Sequence, residues 1–74
     1  VTTTSPANVA ALLDALAPAI GAGDFDVILD ADSVARPKPD PDAYAAALER
    51  LAEQPGACVA VEDNRGGVAA AAAA

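Results

Sequence analysis

The sequence predicts an α/β fold, a partial doubly wound parallel sheet of three strands with flanking helices. Three short runs have strand character, at residues 1–3, 25–29 and 57–61, and each precedes a stretch with helical character. Strands that alternate with helices lie parallel and are joined by right-handed crossovers. A ligand of such a sheet binds beyond the carboxyl ends of the strands, where Thr3, Asp30 and the pair Glu62–Asp63 are expected to meet.

Cap and proline signals predict where the first two of three helices begin. Ser5–Pro6 predicts an N-cap followed by a first helical residue, and Asp40–Pro41 repeats that signal for the second helix. A third helix is predicted from Gly66 onward. Pro18 and the glycines at 21–23 end the first helix, whose apolar face consists of Val9, Leu12, Leu13, Leu16 and, if the helix extends that far, Ile20. In the second helix the residues predicted to face inward are Tyr44, Leu48 and Leu51.

Length and composition allow at most one small domain with a poorly filled core. The chain has 74 residues with one Phe, one Tyr, no Trp and no Met, and alanine supplies much of its 54% hydrophobic content. Alanine buries little apolar area, so a free-standing fold is expected to be marginal. The chain opens on strand-forming residues and stops within the alanine run 69–74, so we expect it to be part of a larger protein.

Charge and cysteine content exclude several classes of function. The net charge of −7 argues against a nucleic-acid partner, which requires a basic surface. No apolar run approaches the roughly 20 residues of a membrane helix, so no membrane partner is expected either. Cys58 is the only cysteine, which excludes an internal disulfide and fits a reducing compartment; a cytoplasmic location is expected.

The only lysine, Lys38, lies between Pro37 and Pro39. Prolines on both sides restrict the backbone, so the root of the ammonium group is held stiffly. Downstream, the third strand-like run ends in Glu62–Asp63, followed by Asn64 and two glycines. A positioned cation and a carboxylate pair at a strand-to-loop junction indicate a site that handles phosphate with a divalent metal.

Several segments together resemble the haloacid dehalogenase (HAD) superfamily, in the branch of phosphoglycolate phosphatase-like and β-phosphoglucomutase-like enzymes. The resemblance covers nearly the whole chain, and three motifs agree in order and spacing. They are residues 2–8, then Phe25–Asp26 followed by residues 38–42, and then residues 59–67. It implies that residues 1–74 are the C-terminal portion of a Rossmann-like core domain and contain the second to fourth motifs of the family.

The resemblance also implies a role for each motif residue. Thr3 would bind a phosphate oxygen, with Thr4 as the competing alignment, and Lys38 would bridge the nucleophile and the phosphate. The peptide bond that follows this lysine in the family is often cis. Asp63 would be a ligand of Mg²⁺, with Glu62 as a second ligand or a holder of metal-bound water.

The family's first motif, an Asp-x-Asp that carries the nucleophile, is absent from these residues, as is the substrate-selecting cap. Asp30–Ala31–Asp32 imitates that motif, but only five residues separate Asp32 from Lys38, so we do not assign Asp30 as the nucleophile. The family's nucleophile-bearing strand lies between the strands that end here at Thr3 and Glu62. We therefore expect the chain alone to be inactive and to need the N-terminal half of the core to complete the sheet.

The function that follows is hydrolysis of a small phosphorylated metabolite by a Mg²⁺-dependent HAD-like phosphatase, through an aspartyl-phosphate. Three alternatives remain open: β-phosphoglucomutase-like phosphoryl transfer, a metal-free haloacid dehalogenase, and a non-catalytic remnant of the fold. Residue by residue, simpler interpretations also exist. Lys38 could be a solvated loop cation, and Glu62–Asp63 could be acids favoured at a helix N-terminus.

Overall fold

The computed structural model describes all 74 residues and contains three α-helices. Helix α1 spans Pro6–Leu16, α2 spans Asp42–Leu51 and α3 spans Arg65–Ala73. Short 3₁₀ turns occupy Ala22–Asp24 and Pro55–Ala57. Helices α2 and α3 pack against each other, and the remaining residues form loops and turns that connect the helices.

The predicted helix starts are confirmed to within a residue or two. Ser5 Oγ accepts a hydrogen bond from the N–H of Asn8 at 3.1 Å, which makes Ser5 the N-cap of α1. Helix α2 begins one residue after Pro41, and Asp40 Oδ1 accepts from the N–H of Asp42 at 3.0 Å in the turn before it. Helix α1 ends at Leu16, so Ile20 lies beyond it.

The predicted sheet is wrong, because no residue of the chain lies in a β-strand. Two backbone hydrogen bonds connect the first two strand-like runs and the residues just after them. One runs from Thr2 N–H to Leu29 O at 2.9 Å, and the other from Ala31 N–H to Thr4 O at 2.8 Å. No backbone hydrogen bond reaches residues 59–61. A strand exists only through a ladder of such bonds to a neighbour, so β-branched residues without that ladder remain irregular. The partial doubly wound, Rossmann-like parallel sheet is therefore not observed.

The core is as small as the composition predicted. Only four residues are buried, and among them Leu29 is the single large side chain; the others are Ala43, Gly67 and Ala70. By contrast, Val59 is 92% exposed and Val61 is 90% exposed. None of the three helices has the length and apolar character required to cross a membrane.

Candidate functional site

One cleft, of about 570 Å³, brings together most of the residues that the sequence singled out. Four predicted site residues line it, namely Thr3, Lys38, Glu62 and Asp63, together with Val1, Thr2, Val61, Asn64 and Gly66. Thr4 does not line the cleft. The cleft therefore lies between the N-terminal residues, the proline-rich loop and the segment that leads into α3, and it is lined mainly by polar residues.

Lys38 is fixed in this cleft rather than solvated. Its side chain is only 12% exposed, and its Nζ forms an ion pair with Glu62 Oε1. The same ammonium group donates to the backbone carbonyl of Val1 at 3.4 Å. The Lys38–Pro39 peptide bond is cis, as the resemblance implied. These contacts are incompatible with the interpretation of Lys38 as an ordinary loop cation.

Glu62 is the most heavily bonded side chain of the site. Its side chain is 7% exposed, and Oε1 accepts hydrogen bonds from both Lys38 Nζ and Tyr44 OH. The hydrogen bond from Lys38, then that from Tyr44, lower the pKa of Glu62 below its usual value of 4.5, although burial acts in the opposite direction. The carboxylate is therefore charged at neutral pH, and its charge is balanced by Lys38.

Gly67 provides the space that the Glu62 carboxylate occupies. A Cβ atom at Gly67 would overlap the carboxylate carbon and both of its oxygens, Oε2 most closely. A Cβ at the adjacent Gly66 would meet only Asn64 Oδ1, at 3.4 Å. A side chain at Gly67 would therefore force the Glu62 carboxylate, which is the end of a flexible side chain, to shift from its place beside Lys38 and Tyr44, and no local sequence pattern indicates this contact.

Tyr44 is the second residue whose role the sequence analysis missed. Helical spacing with Leu48 and Leu51 predicted a core position, whereas the structure places its hydroxyl on Glu62 and its ring 5.4 Å from Lys38 Nζ. Burial, followed by the hydrogen bond and the charge of Glu62, raises the pKa of Tyr44 to about 12. No local pattern could have indicated this contact, because its partner lies 18 positions away.

The two threonines that competed for the phosphate-binding role lie in different environments. Thr3 is exposed and borders the cleft. Thr4 is partly buried, and its Oγ1 accepts a hydrogen bond from Asn8 Nδ2 at 2.9 Å, outside the cleft. Thr3 is therefore the one of the two that a ligand in the cleft can reach.

Asp63 offers an accessible carboxylate at the mouth of the cleft. It is exposed, and its Oδ1 accepts from Asn64 Nδ2 at 3.1 Å. Asn64 Oδ1 in turn caps α3 by accepting from the N–H of Gly67 at 2.8 Å. This cap explains how the loop bearing Asp63 joins the helix.

The donors present fit Mg²⁺ only in part. Magnesium is commonly held by one or two carboxylates together with waters and a substrate phosphate. Asp63 suits that requirement, whereas one oxygen of Glu62 is already bonded to Lys38 and Tyr44. No group of three Asp, Glu, Cys or His residues comes together anywhere in the chain. Asp63 is thus the better candidate for direct coordination.

Asp30 and Asp32 lie outside the cleft. Asp30 Oδ1 accepts from the N–H of Asp32 at 3.0 Å and from Ser33 Oγ at 3.1 Å, so its carboxylate closes a local turn. The same carboxylate is therefore directed to neighbouring residues of its own loop.

Comparison with known proteins places these observations in a family. The model of the haloacid dehalogenase-like hydrolases matches residues 1–74. A plasmid-encoded Protein CbbY of Cupriavidus necator is 51% identical over 73 residues, which cover 99% of this chain and 29% of that protein. Protein CbbY of Rhodobacter capsulatus is 48% identical over 73 residues, covering 99% and 32%. Beta-phosphoglucomutase of Bacillus subtilis is 40% identical over 47 residues, covering 64% and 21%.

No solved structure matches the chain. The chain spans less than a third of the length of the CbbY proteins it matches. The family match nevertheless extends over every residue, from the threonines at the cleft to the alanines of α3. The chain belongs to the haloacid dehalogenase-like hydrolase family.

Proposed function

We propose that this chain supplies part of the active site of a Mg²⁺-dependent phosphatase that hydrolyses a small phosphorylated metabolite through an aspartyl-phosphate. One observation carries the proposal: a nearly buried lysine is held by a carboxylate in a cleft that also contains a threonine and an accessible aspartate, Asp63. A fixed cation beside a free carboxylate suits the transfer of a phosphoryl group, whose catalysis depends mainly on positioning and charge.

Lys38 has the capacity to bind a phosphate oxygen without leaving Glu62. An ammonium group carries three N–H donors. One is directed to Glu62 Oε1 and another to the carbonyl of Val1, so the third remains for a ligand in the cleft. Because the ion pair fixes the ammonium before substrate binds, little reorganisation is needed as negative charge develops on the phosphoryl oxygens.

Thr3 and Asp63 complete the contribution of this chain. The hydroxyl of Thr3 would donate to a phosphate oxygen, and the carboxylate of Asp63 would hold Mg²⁺. When bound, the metal neutralises charge on the phosphate oxygens. In this proposal Glu62 stays paired with Lys38 and acts on the metal only through bound water, the second of the two roles expected for it.

The nucleophile is proposed to come from residues outside this chain. Asp63 is the only aspartate that lines the cleft. A carboxylate from the N-terminal half of the core would attack phosphorus, the bond to the leaving alcohol would break, and water would then hydrolyse the aspartyl-phosphate to inorganic phosphate. The exposed Val59 and Val61, and an apolar cavity of about 470 Å³ that Val59 helps to line, support the presence of further residues against this part of the surface.

The test is phosphatase activity of the full-length gene product on p-nitrophenyl phosphate and a panel of small phosphate esters, with Mg²⁺ or with EDTA. Lys38→Ala should lower kcat about 100- to 1,000-fold, the usual cost of removing one preorganised charge-stabilising group. Arg50→Ala, at an exposed cation near the end of α2, is the matched control and should keep activity. Full activity in Lys38→Ala, or with EDTA, would contradict the proposal.

A phosphomutase is the second candidate, favoured by the beta-phosphoglucomutase among the relatives. Both reactions would use Lys38, Thr3 and Asp63 in the same way, and they differ in whether water or a sugar hydroxyl receives the phosphoryl group. Incubation with sugar monophosphates separates them: a phosphatase releases inorganic phosphate, whereas a mutase yields an isomeric sugar phosphate with little free phosphate.

A further inference from the structure

We infer that Tyr44 is a positioning residue that acts through Glu62 to fix the ammonium group of Lys38. The inference rests on the proposed function for its catalytic consequence, but the contacts themselves do not depend on it. Nothing in the sequence pattern assigned Tyr44 such a role, since its spacing in α2 predicted a core residue. This role follows from the positions of the Tyr44 hydroxyl and the Tyr44 ring.

The hydroxyl of Tyr44 and the ammonium of Lys38 donate to the same carboxylate oxygen, Oε1 of Glu62. Because the carboxylate is 7% exposed, water cannot readily replace either donor. The other carboxylate oxygen lies against the backbone of Gly67, where a Cβ would overlap it. The Glu62 carboxylate is thus held between Gly67 and two hydrogen-bond donors. If the Tyr44 hydroxyl is removed, Lys38 is the only donor left to orient the carboxylate.

The ring of Tyr44 makes a second, independent contact with Lys38. Nζ lies 5.4 Å from the ring centroid, within the distance at which an ammonium group is attracted to an aromatic face. Lys38 therefore has the carboxylate on one side and the aromatic ring on another. This arrangement leaves the ammonium few alternative positions, which is what a fixed phosphate-binding group requires.

Tyr44 itself does not line the polar cleft; it lines the separate apolar cavity instead. It is therefore not placed to touch a phosphate bound beside Lys38. Its influence on the reaction must pass through Glu62 and Lys38, which distinguishes it from Thr3 and Asp63. For that reason its removal should affect how well Lys38 is held more than how well substrate binds.

Two substitutions separate the two contacts. Tyr44→Phe keeps the ring and removes only the hydroxyl, whereas Tyr44→Leu removes both. Ser33→Ala is the matched control, because Ser33 also donates a hydroxyl hydrogen bond to a carboxylate, that of Asp30 at 3.1 Å, but outside the cleft. All variants are made in the full-length gene product, and their circular dichroism spectra confirm folding.

The first readout is hydrolysis of p-nitrophenyl phosphate. Because Tyr44 acts only through Glu62 and Lys38, part of the cost of its lost hydrogen bond should reach the transition state, so kcat should fall about 3- to 10-fold in Tyr44→Phe, and more in Tyr44→Leu, with KM changed less than about twofold. Ser33→Ala should leave both constants unchanged. A Tyr44→Phe variant with the wild-type kcat would contradict the inference even if the protein proves to be a phosphatase.

The second readout does not depend on catalysis. The rate at which acetic anhydride acylates Lys38, measured on its own peptide by mass spectrometry, should rise severalfold in Tyr44→Phe because the ammonium is less tightly held. In a Glu62→Leu background, Tyr44→Phe should cause no further rise, since the two residues act in series. If the wild-type protein hydrolyses no phosphate ester, the proposed function fails, but the acylation rates of these variants still test the positioning role of Tyr44. Equal acylation rates in wild type and Tyr44→Phe would overturn the inference.

Discussion

Two segments that adjoin each other in sequence have opposite environments. Residues 58–61 are mainly apolar, yet Val59 and Val61 are about nine-tenths exposed. The next residue, Glu62, is charged, yet its side chain is 7% exposed. Burial in this chain therefore does not follow hydrophobicity. A polar cluster formed by Lys38, Tyr44, Glu62 and Gly67 is packed, while the neighbouring valines are left open.

The difference is explained by where the partners of each group are located. A nearly buried carboxylate is tolerated only with paired donors, and Lys38 and Tyr44 supply them from within this chain. A valine gains about 1.5–3 kcal/mol on full burial, and at Val59 and Val61 this gain is not realised here. The polar cluster therefore has its hydrogen-bond partners within these 74 residues, whereas no residue of this chain covers the two valines.

Gly67→Ala is expected to break the polar cluster with the largest effect. The new methyl group would overlap the Glu62 carboxylate, and relief of that overlap would displace Glu62 from Lys38. Overpacking of this kind costs about 1–3 kcal/mol, which corresponds to a loss of about 5- to 150-fold in kcat if it falls entirely on the transition state. Phosphatase kinetics of the full-length gene product provide the measurement.

Gly66→Ala is the control within the same helix. Its Cβ would meet only Asn64 Oδ1, at 3.4 Å, and alanine favours helix over glycine by up to about 1 kcal/mol. Gly66 also lines the cleft, but its Cβ would lie within 4 Å of no atom of Lys38, Glu62 or Asp63, so this variant should lose far less activity than Gly67→Ala and should increase the helix content seen by circular dichroism. Equal activities for the two alanine variants would show that Glu62 can adapt, and that the cluster is less tightly packed than the structure indicates.

The sequence predicted the helices and four of the residues that line the cleft, because both kinds of feature have local signals. Ser5 is followed by Pro6 at the start of α1, and Lys38 stands alone between prolines. Tyr44 and Gly67 could not be found in this way, since their roles depend on a contact with Glu62 that only the folded chain creates. Local patterns identify residues with distinctive chemistry; they do not identify the residues that hold them in place.

The predicted sheet failed for a related reason. Val59 and Val61 are β-branched, and the local preference of such residues for strands predicts a strand here. A strand requires hydrogen bonds to a neighbouring backbone, and no backbone hydrogen bond reaches residues 59–61. Helices satisfy their backbone groups internally, which is why α1, α2 and α3 could be predicted from their own sequences.

The pH dependence of the polar cluster is expected to have two separate limits. The lowered pKa of Glu62 means that its pairing stabilises the fold above pH 4.5, and that this stabilisation is lost as the pH falls below that value. The pKa of Tyr44 is raised from 10.0 to about 12, so its contribution is present below pH 10 and is lost as the pH rises toward 12. The cluster should therefore persist across the neutral range.

The absorbance of tyrosinate measures the upper pH limit of the polar cluster. The difference between the titration curves of wild type and Tyr44→Phe, both as full-length gene products, isolates Tyr44 and should show a midpoint near pH 12. In Glu62→Gln the midpoint should fall only part of the way toward 10.0, because burial, the largest cause of the raised pKa, remains while the hydrogen bond to the carboxylate and the charge of Glu62 are lost. An unchanged midpoint in that variant would assign the whole shift to burial.

Val59→Thr and Val61→Thr should have the smallest effect in the isolated 74-residue chain. Both side chains are already exposed there, and surface substitutions usually change stability by less than about 0.5 kcal/mol. Far-ultraviolet circular dichroism of the isolated chain should therefore be unchanged. If residues outside this chain cover the valines, the same substitutions in the full-length gene product bury a hydroxyl group and should cost about 1–3 kcal/mol. Equal, negligible effects in both proteins would mean that these valines remain exposed, and that the apolar segment has no partner to complete it.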